Sequence, residues 1–176
     1  MVSMKQVKSM VCLVFISLVA QLSAEVKLAK ILGDNMILQR GKAIAIWGDA
    51  DAGEKIEVHF AGEKVLTKAD TQGHWKVTLK AQRANAKAQE MKINKLTLKN
   101  ILIGDIWLGS GQSNMAWPLM RTEKSKEAIV AARHPNIRLF NVQKTNTWNE
   151  CSPQTVPEFS GVLYYFGRKL HQELGI

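Results

Sequence analysis

The feature that most constrains this chain is a change of hydrophobic period near Gly104. From Glu25 to about Gly104, apolar and polar residues alternate. Ile56, Val58 and Phe60 interleave with Lys55, Glu57 and His59, and Trp75, Val77 and Leu79 interleave with His74, Lys76, Thr78 and Lys80. Met91 and Ile93, then Leu96 and Leu98, keep the pattern. Period two sets one side of a strand against a core and the other in water. Turn residues punctuate these runs at Gly33-Asp34-Asn35, Gly48-Asp49, Ala52-Gly53, Ala61-Gly62 and Gln72-Gly73. Short strands at this spacing predict a small antiparallel β-sandwich over residues 25–104. His59 and His74 fall on its polar face and read as solvated residues, not as ligands.

After Gly104 the pattern changes. Ile106-Trp107-Leu108 reads as a short buried strand, followed by the turn Gly109-Ser110-Gly111-Gln112-Ser113-Asn114-Met115. Lys124 to Arg133 suits a helix with Ala128, Ile129 and Ala132 on one face, stopped by His134-Pro135; Ile137 to Val142 then reads as a strand. A final helix opens at Phe159-Ser160, with Ser160 as N-cap, and Gly175 is placed to end it. Its predicted apolar stripe is Val162, Phe166 and Leu170 with Leu163 and Leu174. Strand, helix, strand, helix is the opening of an α/β layer. The expected fold class is therefore a two-part α+β chain, divided near Gly104.

The first 24 residues read as a targeting segment. Lys5 and Lys8 precede the apolar run from Met10 to Ala20, which is too short for the roughly 20 residues of a membrane-spanning helix. Ser23-Ala24 offers small residues for cleavage, so the expected location is secreted or periplasmic, with no membrane attachment after cleavage. Cleavage there removes two lysines and no acidic residue, taking the formal net charge from +9 to +7. Of the two cysteines only Cys151 would remain, with no His or Cys beside it at ligand spacing. A disulfide framework is excluded, and no metal site is expected.

The glycine-rich turn is where chemistry is expected. No Lys follows its glycines, so it is not a phosphate-binding P-loop; Asn114 stands where a dinucleotide fingerprint needs its third Gly, and Met115 replaces the second Gly of a G-x-S-x-G elbow. A serine just past a strand, after two glycines, can expose its hydroxyl while neighbouring N–H groups face an oxyanion. A plain strand-to-helix turn with a capping serine fits the same spacing, which leaves both readings open.

Blocks spread along the chain carry a resemblance: Asp34-Asn35-Met36-Ile37-Leu38-Gln39-Arg40, Ile46-Trp47-Gly48, Gly73-His74-Trp75, Gly104-Asp105-Ile106-Trp107-Leu108, Ser110-Gly111-Gln112-Ser113-Asn114-Met115, Phe159-Ser160-Gly161-Val162 and Tyr165-Phe166-Gly167-Arg168-Lys169-Leu170. In this order they resemble the N-terminal part of the sialate O-acetylesterase family of SGNH (GDSL-like) hydrolases. The resemblance implies that residues 105–176 are the truncated start of an α/β SGNH-hydrolase domain following the sandwich. It implies a cofactor-independent esterase acting on O-acetyl groups of sialic acid or related sugars. Ser113 would be the nucleophile, its backbone N–H an oxyanion donor, and Gly111, Gln112 and Asn114 site-lining or oxyanion groups.

A serine hydroxyl needs an adjacent base, which this family supplies in an Asp-x-x-His block. Three residues before His59, His74, His134 and His171 stand Ile56, Thr71, Ala131 and Arg168, so none fits. The chain is therefore expected to be a fragment, inactive by itself, with apolar surface left bare on its second part. A competing class is a non-catalytic carbohydrate-binding sandwich using Trp47, Trp75, Trp107, Trp117 or Trp148, although tryptophans on alternating strands are more often core. Nucleic acid is not an expected partner, because the lysines are scattered and form no stripe. Composition says nothing of oligomeric state.

Overall fold

The alternating runs become strands whose inner faces share one core. The computed structural model describes residues 25–176; the export segment expected at residues 1–24 lies outside the described residues. A three-stranded antiparallel sheet is ordered β1 (Lys27–Leu28), β3 (Ile44–Asp49), β6 (His74–Leu79). A five-stranded sheet is ordered β2 (Ile37–Gln39), β8 (Leu96–Gly104), β7 (Asn85–Ile93), β4 (Lys55–Phe60), β5 (Glu63–Lys68). Ile44, Ile46, Trp75, Val77 and Leu79 of the first meet Ile56, Val58, Phe60, Met91, Ile93 and Ile101 of the second in a single apolar cluster. Each such side chain taken fully out of water contributes about 1.5–3 kcal/mol, which drives the faces together.

One strand departs from the expected antiparallel pairing. β2 runs parallel to β8, while β8–β7, β7–β4 and β4–β5 are antiparallel. No hairpin joins β2 to β8, so no turn dictates their relative direction. At the edge of the smaller sheet, a Cβ on Gly48 would lie 2.0 Å from the Lys27 carbonyl oxygen. β1 can pair there only because residue 48 has no side chain.

Beyond Gly104 the structure corrects several expectations. Ile106-Trp107-Leu108 forms no strand, and these residues are 42%, 57% and 88% exposed. Apolar character alone makes no strand: β8 ends at Gly104, and among the described residues no ladder partner pairs with the segment that follows it. The remaining elements are α1 (Ser113–Ala116), a 3-10 turn at Leu119–Arg121, α2 (Ser125–Val130), β9 (His134–Phe140), β10 (Trp148–Cys151) and α3 (Gly161–Leu174). His134 and Pro135 begin β9 instead of closing a helix. A strand with one unpaired edge tolerates proline, and β9 has a single neighbour, β10. The β9–β10 pair is antiparallel. The second part is thus a two-stranded sheet with helices, without the repeating strand–helix order expected of an α/β layer.

Helix α3 has the predicted ends. The Ser160 side chain accepts the Leu163 N–H at 3.3 Å, and Gly175 closes the helix at φ 64°. Its buried face differs from the expected stripe. Gly161 and Tyr164 point inward, whereas Val162, Phe166 and Leu174 are exposed. Gly161 sets this rotation: a Cβ there would lie 2.7 Å from Thr122 Cγ2, so only glycine lets the helix start press against the 3-10 turn. Tyr164 then enters a second cluster with Leu119, Ala128, Ala132, Leu139, Cys151 and Val156. Its hydroxyl donates to the Ala128 carbonyl at 3.2 Å.

Residues on either side of Gly104 pack together. Trp148 of β10 is buried in the sandwich core, and its indole N–H donates to the Ile31 carbonyl at 2.7 Å. Arg138 of β9, with 2% of its side chain exposed, reaches the Asn35 and Asn100 carbonyls at 3.4 Å each and Asn100 Oδ1 at 3.1 Å.

Candidate active site

The segment leading to Ser113 is anchored at its base. Arg40 grips Asp105 with two parallel hydrogen bonds, Nε to Oδ1 at 2.9 Å and Nη2 to Oδ2 at 3.0 Å. Gln39 completes the anchor: its Nε2 donates to Asp105 Oδ1 at 3.2 Å, and its Oε1 accepts the Ile106 N–H at 2.9 Å. The Arg40 N–H donates to the Gly104 carbonyl at 2.8 Å. Hydrogen bonding from Arg40 holds the Asp105 carboxyl below the usual carboxylate range. A forked guanidinium–carboxylate pair fixes direction as well as distance. The end of β2 therefore sets where residues 104–106 leave the sandwich.

From there the chain runs without regular structure onto α3. A Cβ on Gly109 would lie 2.5 Å from both terminal methyls of Leu163, so the backbone lies directly against that helix. Trp107 meets Phe166 edge-on, with ring centroids 5.3 Å apart. Ser113 is the first residue of α1, a single turn stapled to α3 by the Ser160 hydroxyl, which donates to Met115 Sδ at 3.7 Å.

Ser113 is exposed, and among the described residues no group hydrogen-bonds its hydroxyl. The Ser113 and Asn114 N–H groups donate to no carbonyl among the described residues, as expected for the first turn of a helix. Gly111 and Gln112 are exposed beside it. Asn114 lines a shallow recess of about 500 Å³ with Trp117, Thr122 and Val162. Trp117 is 47% exposed and is steadied by its indole N–H donating to the Arg121 carbonyl at 3.1 Å. The predicted quartet thus lies on one exposed turn, and one of its members, Asn114, faces a recess. Thr122 and Val162 were not singled out as site residues in the sequence, and Trp117 was named only as a possible sugar-stacking ring, because their approach to Asn114 depends on how α3 docks.

None of the four histidines hydrogen-bonds Ser113. His59 pairs with Glu57 on β4, and His74 with Asp49 at 2.6 Å across β6 and β3. His134 and His171 face each other with ring centroids 6.4 Å apart. His171 Nδ1 lies 2.7 Å from the Ile176 carbonyl oxygen. Among the described residues no group of three or more His, Cys, Asp or Glu is arranged to hold a metal ion. Cys151 is buried, and burial pushes its thiol pKa up to about 11, which removes it as a nucleophile at neutral pH.

No protein-family model matches the chain. It is 30% identical over 139 residues to the sialate O-acetylesterase of Rattus norvegicus, covering 70% of this chain and 26% of that protein. It is 26% identical over 181 residues to the sialate O-acetylesterase of Pongo abelii, covering 84% of this chain and 35% of that protein. A carbohydrate acetylesterase from Xanthomonas citri has a similar fold, with a TM-score of 0.81 at 30% identity over 86% of this chain and 38% of that one. The chain spans about a quarter to a third of the length of the curated relatives it matches. With sequence and fold pointing the same way, the chain belongs to the sialate O-acetylesterase family.

Proposed function

We propose that this chain carries the nucleophile of a secreted or periplasmic carbohydrate O-acetylesterase, with Ser113 attacking the acetyl carbonyl of an O-acetylated sugar such as sialic acid. The observation that carries the reading is the setting of Ser113: an exposed hydroxyl at the start of a one-turn helix, with its own N–H unpaired and a recess beside it. The family relationship supports the ester and the sugar.

In this reaction Ser113 Oγ adds to the carbonyl carbon as its proton passes to a base. The negative charge moves onto the carbonyl oxygen, where the Ser113 N–H donates to it. Collapse breaks the bond to the sugar oxygen, which leaves with a proton from the conjugate acid of the base, and acetyl-Ser113 remains. Water then adds, the acyl bond breaks, acetate departs and the serine regains its proton. The Arg40–Asp105 pair and the Gly109–Leu163 contact act earlier, by holding the turn in place.

None of the four histidines hydrogen-bonds Ser113, which supports the reading that this chain does not itself supply the base. The chain alone is therefore expected to release acetate at a rate indistinguishable from its Ser113→Ala variant. Acetate release from O-acetylated sialic acid, measured for both proteins side by side, tests this. Robust turnover abolished by the substitution would place a base within the chain. Turnover that persists in the variant would remove Ser113 as the nucleophile.

A further inference from the structure

We propose that the outer face of the three-stranded sheet is a second sugar site, taking a carboxylate-bearing pyranose stacked on Trp47. The alternation of β3 turns Ile44, Ile46 and Gly48 inward and Ala45, Trp47 and Asp49 outward; β6 likewise buries Trp75, Val77 and Leu79 and exposes His74, Lys76 and Thr78. Trp75 and Trp148 enter the core, as tryptophans on such strands usually do, but Trp47 remains 40% exposed. It sits in an open groove of about 640 Å³ whose walls include Asp49, Lys68, Asp70, His74 and Lys76. Lys76 is directly opposite Trp47 across the strand pair, and His74 directly opposite Asp49.

The hydrogen bonding in this groove selects the charge of the ligand. Both carboxylates are already engaged: Asp49 bonds His74 Nδ1 at 2.6 Å, and Asp70 accepts the N–H groups of Gln72 at 2.8 Å and His74 at 2.9 Å. Among the described residues, neither Lys68 nor Lys76 has an ion-pair partner. An exposed indole in a groove that also carries two lysines without an ion-pair partner among the described residues offers a flat apolar bed for the C–H face of a pyranose and ammonium donors for its carboxylate. A polyphosphate strand fits less well, because Trp47 is the one exposed aromatic ring among the described residues lining the groove, and a strand needs a ring for each stacked base.

The groove shares no lining residue with the recess beside Ser113. It is therefore an accessory site that would hold an acidic glycan on the enzyme, independent of whether Ser113 performs the chemistry. The test titrates the full chain with trigalacturonate, with lactose as the neutral sugar and oligothymidylate as the nucleic-acid probe, following tryptophan fluorescence and the indole N–H signal of residue 47 by NMR. Trigalacturonate is expected to bind with a Kd of about 1 mM, at least about tenfold more tightly than lactose. Trp47→Ala should weaken this by about tenfold or more, and Ser113→Ala should leave it unchanged. The double variant Lys68→Gln, Lys76→Gln should reduce trigalacturonate to the lactose level, and it decides the matter if Trp47→Ala does not fold. The proposal is overturned by equal binding of lactose, by tighter binding of oligothymidylate, by no binding at ~10 mM, or by retention of affinity in the lysine double variant.

Discussion

Replacing Arg138 with leucine should cut a buried, many-membered polar connection between the larger sheet and the β9–β10 pair. The guanidinium is 2% exposed, yet it sits among oxygen atoms: the Asn35 and Asn100 carbonyls at 3.4 Å, Asn35 Oδ1 at 3.5 Å and Asn100 Oδ1 at 3.1 Å. Glu150 lies 3.6 Å away and is itself 45% exposed. Burial pulls the arginine pKa down, and Glu150 opposes that shift. Leucine would leave these acceptors facing an apolar side chain. Breaking a buried charged network from one side costs about 3–5 kcal/mol. The long distances and the half-exposed carboxylate favour the lower end, about 3 kcal/mol. For a chain of this size 1 kcal/mol moves the melting temperature by roughly 2–4 °C, so the expected fall is roughly 6–12 °C. Circular dichroism melts of the two proteins measure it, and hydrogen exchange should show faster opening of residues 134–140 and of the loop around Asn100. A change below about 1 kcal/mol, with unaltered exchange in β9, would refute the reasoning.

Other consequences follow from single residues. Arg40→Met should release Asp105 and speed hydrogen exchange at the Ile106 amide, which Gln39 holds, while leaving exchange in β4 unchanged; an equally protected Ile106 would mean that Gln39 suffices. His134 is held below its ordinary pKa, first by burial and then by the charges of His171 and Arg168. The folded state therefore takes up this proton less readily than the unfolded chain, and the stability from neutral His134 is present above about pH 6.5 and lost as the pH falls through the folded value. His74, raised by its bond to Asp49, has the opposite sign, so the measurement is the difference in melting temperature between the protein and His134→Gln at pH 7.5 and pH 5; an equal acid-induced fall in both would exclude His134. Cys151, with its thiol near pKa 11 and buried, should react with a disulfide reagent at pH 8 only after denaturation, and rapid labelling of the folded protein would show that β10 opens.

The strands of residues 25–104 were legible because their signal is local. Ile56, Val58 and Phe60, or Trp75, Val77 and Leu79, must share one side of an extended chain whatever the rest of the protein does. The caps of α3 were legible for the same reason: Ser160 and Gly175 act within one helical turn. The candidate site was legible as a stretch of sequence, Gly109 to Met115, but not as a place. Ile106-Trp107-Leu108 has the composition of a buried strand and lies exposed, since no strand among the described residues pairs with it. The stripe Val162, Phe166 and Leu170 with Leu163 and Leu174 has helical spacing, yet α3 buries Tyr164, keeps Leu163 and Leu170 half-buried and leaves Val162, Phe166 and Leu174 exposed.

The sequence by itself determined which residues could be strands, where α3 begins and ends, and that a serine follows a glycine-rich turn, because periodicity, capping and turn preference are properties of neighbouring residues. Only the tertiary structure decided which apolar faces are covered, that Trp47 stays in solvent while Trp75 and Trp148 do not, and that Arg40 and Gln39 hold the base of the segment carrying Ser113. Those outcomes depend on contacts between residues far apart in the chain, whose geometry follows from how the sheets and helices dock and is written in no local pattern.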